Sequence, residues 1–486
     1  MKALLRAGKR VVNALRGPSS SQGCERCEPL RKENARLCKQ NQAMKEQIAR
    51  LRDSLAEARR ASKRQAAPFS KGPPKAHPKR PGRKAGRNYG RRARRRVPDH
   101  VDETYEAPLG PCCPYCGSEE VEQLRVVDQY EEDIPRVTPR RRRFRIGVGR
   151  CRRCRKRIQG RHPLQTSDAI GAANVHLGPR AKALVADLSK HVGMSFGKLS
   201  RILRTNFSLS VTRGGLSQIA DRVAKALAPT YDALVKQVRS AAVAAGDETG
   251  WKVGGKLAWL WVIVTRHVTV YRIMEGRGFD EARTILGADF DGILVRDGWA
   301  PYRQFELATH QTCIGGHLIR RCKENLETAP AGAARLPHAV LRIFQRSLYL
   351  RDHWLEHPPT PHGRATHVGI ITSAMDRLLD WTPTDEENRK LIKHLLNERD
   401  ALFTFLKDPR VPASNHWAEQ ALRPAVVTRK IWGGNRTWRG AETQWILATT
   451  FRTCEQQGVD PEPIITDVLR SRLPRLASLP SLASGP

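Results

Sequence analysis

The sequence predicts an α/β chain: a mixed sheet in the rear half, behind a series of smaller, basic elements. Three observations predict this. From residue 241 onward, segments rich in β-branched and aromatic residues succeed one another across short turns, and a further strand follows a helical stretch. The front part carries most of a formal net charge of +38, with 47 basic and 19 acidic side chains in residues 1–200 against 39 and 29 in the remainder. Two CxxC pairs stand 34 residues apart at the junction. The 486 residues suffice for two to four domains and at least one sizeable core.

The charge excess calls for a polyanion, and its Arg-rich, loop-like carriers favour nucleic acid over anionic membrane. A membrane span is excluded, because the longest clean apolar run, 258–264 with Leu257 before it, is far too short. The start, MKALLRAGKRVV, lacks the apolar core of a secretory signal, so the chain is expected in a bacterial cytoplasm, associated with the nucleoid. In that compartment the 11 cysteines serve metal binding or packing before disulfides.

Residues 28–62 repeat in sevens. Leu30, Leu37, Met44, Leu51 and Ala58 occupy one seam position, and Asn34, Asn41, Ile48 and Leu55 the other. Two core asparagines favour a defined register and a dimer, hence a homo-oligomer; a single amphipathic helix packed on its own chain satisfies the same pattern. Residues 63–100 form a linker: 63–97 hold 14 basic residues and no acid among many Pro and Gly, which cannot build a core. Within it Arg80, Arg83, Lys84 and Arg87 alternate with Pro, Gly and Ala, as in segments that enter a narrow minor groove; a generic phosphate-binding linker is the plainer reading.

Residues 101–165 read as a zinc ribbon. Cys113 and Cys116, then Cys151 and Cys154, supply four thiolates on two knuckles, the tetrahedral set of a structural Zn²⁺. Strands are expected over 121–127 and 142–148, and Gly117 permits the tight turn of the first knuckle. Cys112 is the one ambiguity in the ligand set, and Cys24, Cys27 and Cys38 remain unassigned. Arginines crowd the second half, so the ribbon would offer phosphates a basic face. Residues 170–235 read as helices over 179–191, 195–206 and from 212 or 217 to 227, in a helix-turn-helix order that plain bundles share.

Strands follow at 241–247, 256–265 and 268–274, a helix at 280–286, and a fourth strand at 292–297. Three antiparallel strands, a helix and a further strand is a ribonuclease-H-like order, in which the first and fourth strands lie side by side. Asp247 and Asp297, at the ends of those strands, then converge at one sheet edge; Glu248 competes with Asp247. Adjacent carboxylates repel unless cations lie between them, which points to two Mg²⁺ ions (Mn²⁺ able to substitute) and phosphodiester chemistry. Glu419, on a helix begun near Pro412 and Ser414, is the best third ligand. Arg423 lies one turn further on, and Arg429, Lys430, Arg436 and Arg439 follow in a Gly-containing stretch suited to a DNA backbone. A helical insertion is predicted over 325–408, with helices at 336–349, 371–379 and 388–406. The α/β domain is bounded at 240–455, and 456–486 form a C-terminal tail.

Asp247-Glu-Thr-Gly-Trp, Gly292-Ile-Leu-Val-Arg-Asp297-Gly-Trp-Ala-Pro-Tyr302 and Asn415-His-Trp-Ala-Glu419-Gln-Ala-Leu-Arg423, with Thr428-Arg-Lys-Ile-Trp-Gly-Gly434, resemble the DDE transposases of the insertion-sequence 66 family. The resemblance extends to the heptad segment, the Gly-Arg-Lys linker and the CPYCG knuckle. It implies two-metal cleavage and strand transfer on double-stranded DNA, at terminal inverted repeats and a target, with Asp247, Asp297 and Glu419 at the catalytic positions and accessory proteins from the same element. His416 and Gln420 depart from the family's Asn-Asn and Ala-Glu-Arg, the second replacing a phosphate-binding arginine. Cys313 and His317 stand one residue further apart than the family's Cys and His, so they read as scaffold. Two other classes compete: a DNA-binding protein without catalysis, against which the three acids argue, and a nuclease that cuts without joining.

Overall fold

The computed structural model describes residues 27–62, 95–171, 175–330, 332–471 and 473–483. Arg80, Arg83, Lys84, Arg87 and Cys24 lie outside them. The chain divides into two compact units, 1–96 and 97–486.

In the first unit one helix, α1 (Cys27–Ser62), covers the heptad segment. Pro29 sits in its first turn, where a missing N–H costs nothing. Leu37, Met44, Ile48 and Leu51 all remain exposed along it.

The second unit begins with the two knuckles. Gly117 N–H and Arg155 N–H close the turns on the carbonyls of Cys113 and Cys151, and both residues adopt positive φ. A short hairpin, β1 (Val148–Arg150) with β2 (Arg157–Gln159), carries the second knuckle. The strands expected at 121–127 and 142–148 do not form. Leu124 and Val126 stay in solvent, and Phe144 and Ile146, although they alternate, are only half-buried, so neither stretch gains a packed face on which to pair.

Helices α2 (Pro179–Ala186), α3 (Phe196–Phe207) and α4 (Arg213–Arg239) follow, with a π-turn at Asp187–His191 extending the first. Ser195 and Thr212 cap α3 and α4 by accepting from Lys198 N–H and Gly215 N–H. The third helix runs 12 residues beyond the expected end at 227, through Pro229. The interior proline is outweighed by burial of Leu227, Tyr231, Leu234 and Val238 against the sheet.

That sheet has the order β5-β4-β3-β6-β7. β3 (Val243–Val253), β4 (Lys256–Val264) and β5 (Thr269–Met274) are antiparallel, whereas β6 (Ile293–Arg296) and β7 (Thr309–Thr312) add in parallel beyond β3. Helix α5 (Phe279–Leu286) makes the crossover from β5 to β6. This mixed five-strand order is compatible with a ribonuclease-H-like domain.

Alternation along each strand builds two cores. Ala244, Trp261, Ile263, Val270 and Leu294 face α2–α5. Val243, Ala245, Leu260, Val262 and Val295 face the other layer. That layer comprises α6 (Ile319–Thr328), α7 (Arg335–Glu356), α8 (Pro361–Leu379), α9 (Glu386–Asn397), α10 (Thr404–Lys407) and α11 (His416–Trp432). The helix expected over 388–406 is broken at 398–403. There Glu398 turns inward as a fully buried carboxylate, accepting from Arg296 Nη1 at 2.6 Å and Arg303 Nη1 at 2.8 Å.

Helices α12 (Trp438–Gln456) and α13 (Pro461–Arg470) return to the first layer. Along the outer edge of β5, Thr449 and Thr453 hydroxyls accept from the N–H groups of Tyr271 and Thr269. Gln311 of the opposite edge strand accepts from Phe405 N–H, while Thr404 Oγ1 donates to His310 O. Both sheet edges are thereby satisfied by side chains instead of a further strand.

Candidate active site

β3 and β6 place the two aspartates. Their parallel register pairs Val243 with Ile293 and Ala245 with Val295. Asp247 lies two residues past Ala245 and Asp297 two past Val295, so a period of two sets them side by side on one face. β3 does not end at Asp247 as expected: it continues to Val253 on its β4 side, and only the β6 ladder stops. The edge is therefore made by the shorter partner.

Each aspartate is half-buried and uses one oxygen locally. Asp247 Oδ1 accepts from Glu248 N–H at 2.8 Å, and Asp297 Oδ1 from Trp299 N–H at 3.0 Å. Burial pushes the Asp247 carboxyl up to about 7. The negative charges of Asp297, Glu248 and Glu419 add to this, and the Glu248 N–H opposes it. Glu248 points the other way along the strand. Its side chain is fully buried, accepting from Tyr302 Oη at 2.8 Å and Arg277 Nε at 2.7 Å, so it serves the packing behind the edge.

Glu419 comes from the first turn of α11. The helix begins at His416 with Asn415 as its N-cap residue, and the Asn415 side chain does not cap it. Instead Asn415 Nδ2 donates to Gly246 O at 2.8 Å, tying the helix start to the residue before Asp247. Asn415 N–H donates to Cys313 Sγ at 3.3 Å, and Ala413 O accepts from Ile314 N–H at 3.0 Å. Cys313 in turn donates its N–H to Arg296 O, extending the β6–β7 ladder by one rung. Three distant segments thus meet around the edge. The sequence offered one signal for Asn415, its place just before a helix, which also fits an ordinary cap.

Glu419 is exposed, and its ion-pair contact is His317, Nε2 to Oε1 at 3.6 Å, with no salt bridge to Arg423. Cys313, His317 and Glu419 bring one ligand atom each within 4.8 Å of one another, the only such His/Cys/Asp/Glu grouping among the described residues. Cys113, Cys116, Cys151 and Cys154 are not gathered in that way. Within each knuckle, backbone N–H groups aimed at the sulfur hold Cys113 and Cys151 below the usual thiol range: those of Tyr115 and Cys116, and those of Cys154 and Arg153.

Downstream of Glu419, Arg423 and Lys430 are exposed on α11, and Arg436 is exposed in the loop beyond it. Arg429 is half-buried, with Nη1 3.4 Å from Thr249 Oγ1. That loop is pinned to β3: Trp251 Nε1 donates to Asn435 Oδ1 at 2.8 Å, and Gly254 N–H to Asn435 O at 2.9 Å. Arg439, exposed at the start of α12, pairs with Asp221 of α4.

Residues 174–443, more than half of the sequence, match the family model described as the transposase IS66 family. The chain belongs to the IS66 family of transposases. Among its relatives are two uncharacterized proteins of Sinorhizobium fredii, y4qI and y4jD. Both are 25% identical, over 303 and 295 residues, covering 55% and 54% of this chain and 54% and 56% of theirs. A third, y4hP, is 35% identical over 78 residues. The chain spans about half the length of the curated relatives it matches. The aspartate pair suits a hard cation: burial and then the neighbouring charge of Asp297 hold the Asp247 carboxyl up, and positive charge between the two would relieve this. Among the described residues no helix is long and apolar enough to cross a membrane.

Proposed function

We propose that this IS66-family chain cleaves and joins DNA at the terminal inverted repeats of an insertion sequence, with Asp247, Asp297 and Glu419 as its catalytic acids. The observation that carries the reading is the shared register of Asp247 and Asp297. Glu419 supports it from a helix whose start is tied to Gly246, and its charge reaches Asp247, although the three acids do not lie within 4.8 Å of one another. When bound there, a pair of Mg²⁺ ions (or Mn²⁺) would activate an attacking hydroxyl and stabilise the departing 3′ oxygen. Asp247, Asp297 and Glu419 would hold them. Half-burial of the aspartates limits bulk water at the edge. Their Glu248 and Trp299 N–H bonds engage one oxygen of each carboxylate, and the other would be the one offered to a cation. Asp247 has to lose its proton first, which makes metal affinity rise with pH up to about 7.

Arg423, Arg429, Lys430 and Arg436 would hold backbone phosphates beside that edge, and Arg80, Arg83, Lys84 and Arg87 would follow a groove. Cys113, Cys116, Cys151 and Cys154 are assigned to a structural Zn²⁺. The exposed stripe on α1 supports self-association of the element's transposase, and accessory proteins of the same element complete the partners.

The test is incubation with Mg²⁺ and duplex DNA carrying the terminal repeats, scored for new 3′-hydroxyl ends and for joined products. Wild-type protein should yield both, and Asp297→Asn neither. Cleavage that survives Asp297→Asn removes the assigned site. Ends without joined products would instead identify a nuclease.

A further inference from the structure

A π-turn, Ile314–Leu318, connects β7 to α6, and Leu318 N–H reaches back to Cys313 O. The widened turn takes up the extra residue between Cys313 and His317 and still leaves both side chains facing Glu419. Cys313 is fully buried, and its sulfur receives the N–H groups of Asn415, His317 and Gly316. Burial holds the Cys313 thiol above its usual range, and the Glu419 charge adds to this. The three N–H donors oppose it, so the thiol gives up its proton only to a bound cation. Gly316 keeps the space open. A Cβ there would lie 3.2 Å from Cys313 Sγ and 3.7 Å from Glu419 Oε1.

We propose that Cys313, His317 and Glu419 form a site for a borderline divalent cation, Zn²⁺ in the first instance, separate from the hard-cation position of Asp247 and Asp297. One sulfur, one imidazole nitrogen and one carboxylate oxygen are the donor mixture of zinc and cobalt; magnesium accepts neither thiolate nor crowding. Zinc bonds of about 2.0–2.3 Å at tetrahedral angles require ligand atoms roughly 3.3–3.5 Å apart. The 3.6 Å between His317 Nε2 and Glu419 Oε1 needs almost no movement to satisfy this. Three protein ligands leave the fourth position open to water.

Ligation through Nε2 places the imidazole proton on Nδ1, where Arg320 Nη2 now approaches to 3.3 Å. Arg320 must then swing away, and it opposes the cation both by that contact and by its charge. The site also claims Glu419. Resting on the function proposed above, a cation held here withdraws the third acid from the aspartate pair and turns cleavage off.

The experiment uses the full chain, stripped of metal by chelator and titrated with Co²⁺ alone without DNA, reading the sulfur-to-cobalt absorption band of all thiolate sites together. Wild type should bind one Co²⁺ equivalent more than Cys313→Ser and than His317→Ala. Because His317→Ala retains every thiol and changes an exposed side chain, it carries the test even if Cys313→Ser unfolds. Arg320→Ala should bind Co²⁺ about 2–10-fold more tightly, as expected for removing a nearby like charge. Equal stoichiometry and affinity in wild type and His317→Ala overturns the site. In the cleavage assay, added Zn²⁺ should inhibit wild type more than tenfold and Cys313→Ser far less. Inhibition that is identical in both overturns the off-switch. Absence of cleavage in every sample, with the extra Co²⁺ equivalent present, would instead count against the transposition chemistry and leave the metal site standing.

Discussion

Replacing Asp247 by Asn should stabilise the metal-free protein. The carboxyl is raised from 3.8 to about 7, chiefly by burial and secondarily by Asp297, Glu248 and Glu419. At about 1.4 kcal/mol per unit, ionising it in the folded state costs up to about 4 kcal/mol. Partial solvation of the half-buried side chain brings the expected figure to about 1–3 kcal/mol. The sign follows from linkage. Below about pH 4 the acid is protonated folded or unfolded and nothing is lost; between pH 4 and 7 the unfolded chain releases the proton first, and above pH 7 the whole penalty applies. Asn keeps the Oδ1 that accepts the Glu248 N–H and carries no charge. Thermal unfolding in magnesium-free buffer should therefore place Asp247→Asn a few degrees above wild type at pH 8, with about a third of the gap remaining at pH 5. Added Mg²⁺ should raise wild type more than the variant. A variant that melts below wild type at pH 8, or a gap unchanged at pH 5, refutes the reasoning.

Further substitutions test the supports of the same edge. Asn415→Ala removes the bond to Gly246 O; about 1–2 kcal/mol should be lost in urea unfolding, and end cleavage should fall at least tenfold. Unchanged cleavage would mean that the helix start does not position Glu419. Glu398→Ala strands the buried Arg296 guanidinium beside Asp297, so about 3–5 kcal/mol should disappear from the denaturant midpoint; under 1 kcal/mol contradicts the buried network. Gly434→Ala puts a Cβ 2.5 Å from Lys252 O at a φ of +115°. It should cost about 1–3 kcal/mol and weaken the near-ultraviolet signal of the Trp251–Trp432 edge contact.

Much of the sheet was legible in the sequence because β3, β4 and β5 are strands whose own side chains fill a core. Their β-branched and aromatic runs announce them wherever they pack. β7 was not. Thr309-His-Gln-Thr312 has no apolar pattern, and beyond a local bond to Thr312 O its fully buried Gln311 is satisfied by Leu402 O and Phe405 N–H from 91 and 94 residues away. The extension of α4 past Pro229 was hidden for a related reason. A proline inside a helix is unfavourable locally, and the compensating face of Tyr231, Leu234 and Val238 counts only once the sheet lies beneath it. The break at 398–403 likewise follows from two arginines on another segment, not from any helix breaker.

The sequence by itself determined the chemistry available to this IS66-family chain: which acids, thiols and cations it carries, and which segments read as strands. Residue type and strand periodicity are local properties, so they survive without a fold. The tertiary structure decided which of those groups meet. It turned Glu248 away into a Tyr302–Arg277 pocket, left Asp247 beside Asp297, and tied the start of the Glu419 helix to Gly246 through Asn415. It also brought Cys313 and His317 to Glu419 across a π-turn. Contacts between segments 50–170 residues apart depend on register, burial and charge compensation among all the elements at once, and no stretch of sequence contains those terms alone.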